Sequence, residues 1–512
     1  MKISCGPTFL WLSILLSTVI FGSARPEGII ETQTEESLIS QTKSLESTIK
    51  KSEITTTIKA LEDEEAANQK SEEVKLKADT KELPEWTIML YIQAKNNLSF
   101  YAARNLNEIA SIGSNEKVNI VVQWEQPNQK GVSRYHIKKN NIARVFHDEK
   151  PLKNDQGTKI VEFAKWTKEN YSAKNFSLIL WNHGVGILDP IWGNTVRYPL
   201  YVPGMRGCAR AEICGLTALY AEQQEIPAIR GILFDEENRV YMTNKELDET
   251  LSIVTKDVLK KPIDVLGMDA CFMGMLEVNY LVRPYAKYCV GSEELVIAYG
   301  LNYVELMKKL TKETLTPKEL AQAIVTTYKE FYEDKTEFYT LSAIDLSKID
   351  AVKESVDGVV TEVKNLCETD ESRIKNAMQN ARVNSLEFSM PLYIDLCSFY
   401  KNFLQQLSID PTKFTPPPES KVPRARQRHL RSRDIEAKGI EDDEKFRILS
   451  QKISVSLSAV DSAVIANTGS KTFRDAKGLS VYFPKYSIDR SYLRTEFAQK
   501  SQWPWFIAKN VE

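Results

Sequence analysis

Histidine and cysteine are scarce in this sequence, and neither shows a spacing that is typical of a metal site. There are four histidines and seven cysteines among 512 residues. Neither His-x-x-x-His nor Cys-x-x-Cys occurs, and no strand-like run is followed by a glycine-rich turn that would bind phosphate. The Gly-x-Ser-x-Gly turn of serine hydrolases is also absent. The sequence therefore gives no support to a zinc enzyme, a nucleotide-binding enzyme or a serine hydrolase.

The chain also lacks an excess of charge of either sign. Its 67 basic and 69 acidic residues leave a formal net charge of -2, so no long-range field favours nucleic acid or an anionic membrane. The cysteine content is too low for a disulfide scaffold, and a core must form by burial of apolar side chains. Cys208 and Cys214 are close enough in sequence to bridge, but spacing does not decide whether they do. The oligomeric state is left open.

The N-terminus is typical of a secretory signal peptide. Lys2 is followed by an apolar run from Phe9 to Phe21, small residues, and a break at Arg25. The alternative is a membrane anchor, but a span needs about 20 apolar residues, and no later run is long enough. We predict a signal peptide over 1–24 and an exported protein that is secreted, periplasmic or held at the cell surface. The polar stretch 25–84 is predicted to be a linker or pro-segment.

From residue 85 onward, apolar strand-like runs alternate with runs of helical spacing. The strand-like runs lie at 87–92, 118–124, 176–181 and 263–268, and the helical ones at 100–112, 159–168 and 247–258. Strands that are apolar on both faces and alternate with helices predict an α/β fold with a mostly parallel sheet.

We predict one such domain over 85–400, interrupted by a long loop at 187–228. A C-terminal extension over 401–512 is predicted to pack on it. The extension begins with an irregular basic loop at 411–445 and includes strand-like runs at 453–457 and 478–483.

Two chemically active side chains follow two of the predicted strands. His183 comes directly after FSLILWN, and Cys271 comes directly after IDVLGMDA. The carboxyl ends of parallel strands meet at one edge of a sheet, where ligands bind in α/β folds. A predicted helix over 272–282 would place its N-terminus beside the thiol and favour the thiolate. The backbone N–H groups of Cys271 and Gly184 could then face an oxyanion.

Each of these two residues also has an ordinary structural interpretation. A lone cysteine is more often a buried apolar side chain, and a lone histidine is more often a satisfied turn residue. Their matching positions at two strand ends favour a cysteine nucleophile with a histidine base. The remaining histidines, His136, His147 and His429, are predicted to be surface residues. No metal or other cofactor is needed for this chemistry.

The sequence around these residues resembles the clostripain family of cysteine peptidases, which is related to the caspases and gingipains. The resemblance rests on WTIMLYIQAKNNL, LILWNHG, RGILFDEENRVYMTNKEL, DVLGMDACFMGMLEV and GSEELVIAYGLNY. It implies a caspase-like α/β/α sandwich and cleavage of polypeptides after arginine or lysine. It also implies that His183 and Cys271 form the dyad, with Asp269 near the pocket for the basic side chain.

The resemblance carries two further expectations about processing and calcium. Family members are often cut once between the histidine and the cysteine, which makes the arginines of the 187–228 loop candidate self-cleavage points. These are Arg197, Arg206 and Arg210. Calcium is reported for some relatives, so a calcium site is an expectation that rests on the resemblance alone.

One departure from the family pattern affects the substrate preference. Tyr299 stands where relatives carry an aspartate that helps to bind the basic side chain. Glu293 or Glu294 could supply the missing acid, and Asp269 could act alone. Two other interpretations remain open: an inactive relative that binds peptides or a partner at the cell surface, and a transferase that uses the same acyl-enzyme.

Overall fold

The computed structural model describes residues 82–149, 155–188, 231–407 and 428–512, with the backbone alone for 428–445. All of these residues lie in one unit that spans Ser52–Glu512. The predicted signal peptide, nearly all of the predicted linker and the 187–228 loop from residue 189 onward lie outside the described residues. So do Cys208, Cys214 and the three candidate processing arginines.

A nine-stranded sheet lies at the centre of the described residues. From one edge to the other its strands are β12 (Val464–Gly469), β10 (Thr340–Asp345), β9 (Ala286–Gly291), β8 (Ile263–Asp269), β5 (Asn175–Trp181), β1 (Trp86–Gln93), β2 (Val118–Glu125), β3 (Val132–Lys138) and β4 (Asn141–Asp148). The five strands from β9 to β2 are parallel, and the strands outside them are antiparallel. The predicted α/β class with a mostly parallel sheet is confirmed.

Helices cover both faces of this sheet. One face carries α1 (Ser99–Ala110), α5 (Tyr303–Lys312) and α6 (Pro317–Tyr332). The other carries α2 (Gln156–Asn170), α3 (Asn244–Ile253), α4 (Leu276–Val282), α7 (Ile349–Asn384), α8 (Leu396–Leu407), α9 (Arg428–Ala463), α10 (Glu496–Lys500) and α11 (Trp503–Val511). Among the helices described, none is both long enough and apolar enough to cross a bilayer.

The strand β1 shows why the central runs are apolar at nearly every position. Met89 and Tyr91 pack into the core on one face of the sheet, while Leu90 and Ile92 pack into the core on the other. A strand in the middle of a parallel sheet has no solvent-facing side, so both sets of alternating residues must be apolar. The central strands were predictable for this reason.

The C-terminal part of the chain differs from its prediction in two ways. The predicted domain limit at 400 falls inside α8, and β12 is an edge strand of the central sheet rather than part of an added layer. The predicted irregular loop is wrong from residue 428 onward, because α9 begins there. That stretch is rich in Arg, Glu and Lys, which favour helix, but it has little apolar periodicity to reveal one.

The predicted strand over 453–457 is wrong as well, since these residues lie within α9. The alternation of Ile453, Val455 and Leu457 fits a strand, in which all three would share one face. In the helix Ile453 is fully buried, whereas Val455 is 60% exposed. The run 478–483 does contain a strand, β13 (Ser480–Tyr482), which pairs with β11 (Tyr393–Asp395) outside the central sheet.

The first turn of α4 carries a buried acid that makes stability depend on pH. The Oε1 of Glu277 accepts from the backbone N–H of Tyr482 at 2.9 Å and from the hydroxyl of Tyr492 at 3.2 Å, while Oε2 has no partner. Burial raises the pKa of Glu277 to about 7, from an ordinary value of 4.5. The folded chain therefore holds this proton more tightly than the unfolded chain does, and stability is lost as pH rises from about 4.5 to 7.

We expect Glu277→Gln to remove this part of the pH dependence. Between pH 5 and pH 8 the free energy of unfolding of the wild type should fall by about 2 kcal/mol more than that of the variant. Urea unfolding at both pH values measures the difference. Glu354→Gln, at an exposed position on α7, is the control and should behave like the wild type. An equal fall in wild type and Glu277→Gln would show that Glu277 does not titrate in this range.

Candidate active site

His183 and Cys271 leave the same edge of the sheet from neighbouring strands. β5 and β8 are parallel, and their last residues, Trp181 and Asp269, are paired in register. Each candidate residue follows its strand by two positions. Both line one small cleft that opens to solvent. The lining residues are Leu98, Trp181, Asn182, His183, Asp269, Cys271, Val296, Ile297, Ala298 and Gly300.

The backbone at Gly184 is in contact with the backbone at Cys271. A Cβ atom at Gly184 would lie 2.7 Å from the carbonyl oxygen of Cys271 and 3.3 Å from its nitrogen. Real Cβ atoms do not approach backbone so closely, so the position admits glycine alone. The two residues whose N–H groups were predicted to bind an oxyanion therefore adjoin each other at the strand ends.

The loop after β9 holds the thiol of Cys271. The backbone N–H of Val296 donates to its Sγ at 3.2 Å, and the side chain is 3% exposed. The next residue, Phe272, has φ +60°, a left-handed conformation that costs a bulky residue about 1–2 kcal/mol. Its N–H donates to the carbonyl oxygen of Glu294 at 3.1 Å, which fixes this bend.

The bend corrects the predicted helix over 272–282. The helix that follows is α4, which begins at Leu276, because the left-handed Phe272 interrupts the chain. The favourable field of a helix N-terminus fades within one turn, so at Cys271 it is weaker than the predicted helix would have made it.

The imidazole of His183 contacts a side chain from the turn after β1, and the backbone before it is fixed by Asn182. Its Nε2 lies 2.8 Å from the Oδ1 of Asn97, which follows β1. The neighbouring side chain of Asn182 accepts from the N–H of Phe234 at 2.9 Å and donates to its carbonyl oxygen at 3.0 Å. Asn182 also donates to the carbonyl oxygen of Gln93 at the end of β1. Phe234 lies in β6 (Ile232–Asp235), which pairs with β7 (Val240–Met242).

Asp269, the last residue of β8, is the acid of the cleft. Its Oδ2 accepts from the hydroxyl of Tyr303 at 2.8 Å and from the N–H of Leu301 at 3.1 Å. Burial raises the pKa of Asp269 to about 6, and these two hydrogen bonds oppose the rise. Gly300, with φ +68°, passes so close that a Cβ there would lie 2.6 Å from Oδ2.

Tyr299 and Glu293 do not line the cleft, which differs from their predicted place beside the substrate. The ring of Tyr299 packs edge-on against Tyr101 at 5.4 Å, and the guanidinium of Arg104 lies 4.0 Å from its centre. Aromatic and cation–π contacts therefore hold this side chain against α1.

Glu293 and its neighbour Glu294 are buried acids that connect loops. The Oε2 of Glu293 accepts from the N–H of Gly478 at 2.9 Å, and Glu294 accepts from the N–H of Ser389 at 2.8 Å. Burial, and after it the nearby Asp395, raises the pKa of Glu293 well above its ordinary value. These contacts tie the loop behind Cys271 to the C-terminal part of the chain.

The other histidines and the metal-ligating residues show no second site in the described ranges. His136 and His147 lie on β3 and β4 at the far edge of the sheet, and the side chain of His429 is outside the described residues. His136 is partly buried rather than at the surface as predicted, and its burial lowers its pKa to about 4. No group of three potential metal ligands occurs in those ranges.

A thiol and an imidazole in one cleft at adjoining strand ends are the arrangement of a hydrolase with a cysteine nucleophile. The model of the clostripain family matches residues 90–193 and 217–508 of this sequence. The chain belongs to the clostripain family and is a cysteine-type peptidase. No protein with a curated description matches it.

Two solved structures show the same fold. One is a secreted cysteine protease from Bacteroides thetaiotaomicron in complex with an irreversible peptide inhibitor, with a TM-score of 0.53 and 16% identity. It covers 82% of this chain and 99% of its own. The other, a secreted cysteine protease named iotapain from the same organism, has a TM-score of 0.53 and 13% identity, over 84% and 99% of the two chains. The fold is thus the caspase-like α/β/α sandwich.

Proposed function

We propose that this chain is an exported endopeptidase in which Cys271 is the nucleophile and His183 is its base. The observation that carries the proposal is that both side chains line one cleft at the ends of adjacent parallel strands. His183 takes the thiol proton as the sulfur attacks the scissile carbonyl carbon, and the imidazolium then protonates the leaving amine. The same imidazole activates the water that hydrolyses the thioester.

The backbone N–H groups of Cys271 and Gly184 bind the oxyanion in this mechanism. The contact between the two backbones supports the assignment, because the two residues adjoin each other beside the thiol. Donors fixed before the reaction cost no reorganisation in the transition state. All these steps use groups of the chain itself, so the mechanism requires no cofactor, and calcium remains an expectation from the family alone.

For the substrate, we propose a polypeptide cut after arginine or lysine, with Asp269 as the acid that pairs with the basic side chain. Asp269 is the one carboxylate among the described residues of the cleft lining, and the side chains beside it include Leu98, Ile297 and Ala298. An apolar wall suits the alkyl stem of a long basic side chain, while the carboxylate receives its charged end. Because Tyr299 and Glu293 are not among the lining residues, the preference rests on one acid.

The proposal includes export and self-processing. Export rests on the signal-like N-terminus, and both similar structures are described as secreted proteins. Self-processing would fall at Arg197, Arg206 or Arg210, which supply the basic residue that the proposed preference requires. The mass of the purified active protein tests it, since an active and uncut chain would contradict the processing step while leaving the dyad intact.

One observation favours the alternative of an inactive peptide-binding relative. The thiol of Cys271 accepts a hydrogen bond from Val296 and is almost fully buried, so the loop after β9 covers it. To attack a substrate, the sulfur has to give up this hydrogen bond.

A peptide ketone that carries arginine and alkylates the catalytic thiol separates the two functions. For a peptidase, mass spectrometry should place the adduct on Cys271, with little on the partly exposed Cys367. Competition by a peptide with arginine, but not by one with glutamate in its place, would support the basic preference. A protein that binds the peptide without alkylation at Cys271 would be the inactive relative.

A further inference from the structure

The candidate base His183 has a side-chain partner that its sequence neighbourhood does not contain. Its Nε2 lies 2.8 Å from the Oδ1 of Asn97. Asn97 belongs to the turn between β1 and α1, and β1 is the neighbour of β5 in the sheet. Three adjacent parallel strands therefore deliver Asn97, His183 and Cys271 to the same edge.

Asn97 is fixed on both sides by the turn it lies in. The side chain of Asn96 donates to the carbonyl oxygen of Phe234 at 2.9 Å and accepts from the N–H of Leu98 at 2.9 Å. On the other side, the carboxylate of Glu236 accepts from the backbone N–H of Asn97, and the N–H of Glu236 donates to the carbonyl oxygen of Lys95 at 2.9 Å. The β6–β7 hairpin thus clamps this turn against the His183 segment.

We propose that Asn97 is the positioning residue of the dyad: its side-chain oxygen accepts the Nε2 proton of His183, so that Nδ1 exchanges the proton with the thiol of Cys271. This inference rests on the proposed peptidase function. In the neutral base, Nδ1 carries no proton and takes the thiol proton as the carbon–sulfur bond forms. The resulting imidazolium keeps its Nε2–H bond to Asn97 and passes the Nδ1 proton to the leaving amine.

The opposite orientation of the Asn97 amide would not support this chemistry. With the amide nitrogen toward the ring, it would donate to Nε2, and the neutral imidazole would carry its proton on Nδ1. No basic nitrogen would then be left for the thiol. An oxygen acceptor at Nε2 suits the neutral base and the imidazolium alike, so the contact need not break during turnover.

Glu236 contributes a charge to the same arrangement. Its carboxylate interacts electrostatically with His183, and Cys271 and Asp269 are the other titratable groups that line the cleft with the imidazole. Surrounding protein raises the pKa of Glu236, while His183 and the N–H of Asn97 oppose the rise. Because the side chain is at the surface, solvent screens its effect on the imidazolium, which is smaller than that of the direct Asn97 contact.

Kinetics of three variants test the proposal. We expect Asn97→Ala to lower kcat about 100-fold with KM changed less than about threefold, because a loosened base misses the reacting geometry. Asn97→Asp should recover part of kcat and move the limb of the pH profile that reports the imidazole up by about one pH unit. Glu236→Gln should move the same limb of the pH profile to lower pH, by about a few tenths of a pH unit. Asn170→Ala, which removes an exposed amide at the end of α2, should match the wild type.

A structural role alone would lower stability without moving the pH profile. Equal unfolding midpoints of wild type and Asn97→Ala, combined with the loss of kcat, support the positioning role. Wild-type kcat in Asn97→Ala, or an unmoved profile in Asn97→Asp, would overturn it. Absence of cleavage by the wild-type protein would instead refute the proposed function.

Nitrogen-15 NMR of the imidazole tests the same contact without activity. The chain has four histidines, so the signal of His183 can be assigned from its loss in His183→Ala. In the Cys271→Ala protein we expect the Nε2–H tautomer for His183, and a mixture of tautomers after Asn97→Ala is added. A dominant Nδ1–H tautomer in the Cys271→Ala protein would overturn the assignment of the base.

Discussion

Replacement of Cys271 by alanine should abolish peptide cleavage, with a fall in kcat of about 10⁵-fold. Among the described residues that line the cleft, Asn182 and the apolar side chains are not nucleophiles, Asp269 is held by Tyr303 and Leu301, and His183 is assigned as the base. Cys271 is therefore the group expected to form the covalent acyl intermediate. Turnover of a fluorogenic arginine peptide by wild type and variant measures the effect. His183→Ala should cause a loss of similar size, since removing either member disables the pair.

A second cysteine provides the control for this result. Cys367 in α7 is a free and partly exposed thiol whose pKa is raised by burial. Cys367→Ala should keep wild-type turnover. The unfolding midpoint of Cys271→Ala should stay close to that of the wild type, because the substitution removes one sulfur atom and leaves the strand ends in place. Turnover that survives in a folded Cys271→Ala protein would refute the assigned nucleophile.

Asp269→Asn should remove the preference for basic residues. The substitution keeps the size of the side chain and a hydrogen-bond acceptor for Tyr303 but deletes the charge that pairs with a guanidinium. Loss of one partner of a desolvated charge pair costs about 2–4 kcal/mol, so kcat/KM for an arginine peptide should fall about 30- to 1,000-fold. The value for a matched peptide with leucine in place of arginine should change less than about threefold. A selectivity ratio equal to that of the wild type would mean that another group binds the basic side chain.

The raised pKa of Asp269 gives the same preference a pH dependence. With its pKa at about 6, the carboxyl of the free enzyme is charged above that pH and becomes neutral below it. Selectivity for arginine over leucine in kcat/KM should therefore decrease as pH falls from 7 to 5, while Asp269→Asn should show a flat ratio. Tyr303→Phe removes a hydrogen bond that favours the charged form, so the decrease should begin at higher pH in that variant. A ratio that is constant with pH in the wild type would contradict the role of Asp269.

The central sheet could be predicted because its strands are buried on both faces. Runs such as TIMLYI and IDVLGM are apolar on both alternating faces, which identifies them as buried strands. The helices between them have a clear apolar face. The long helix α9 could not be predicted in the same way. Its first half has no apolar stripe, and the alternation around Ile453 fits a strand as well as a helix. Packing of this segment against α7 decides between strand and helix, and that packing involves residues distant in sequence.

The candidate site could be predicted in part for a related reason. Strand ends are local features, so His183 and Cys271 were found from the runs that precede them, whereas Asp269 was singled out only by the family resemblance. The bend at Phe272 and the contact of Tyr299 with Arg104 depend on tertiary structure, and sequence reasoning missed both. Asn97 was missed as well, although it follows a predicted strand with another polar residue. The available signal was its position just after the first strand. That strand, β1, pairs in parallel with β5, so residues that follow either strand emerge at the same edge of the sheet as His183.

The most direct test of the proposed dyad is the rate of alkylation of Cys271 by iodoacetamide, measured from pH 4 to pH 10 in wild type and His183→Ala. If the imidazole takes the thiol proton, Cys271 of the wild type should react rapidly below pH 7. In His183→Ala, the rate of alkylation should rise only as the pH approaches about 8.5, the ordinary pKa of a cysteine thiol. A pH profile that is the same in both proteins would contradict the account, because it would mean that the sulfur and the imidazole share the cleft without sharing a proton.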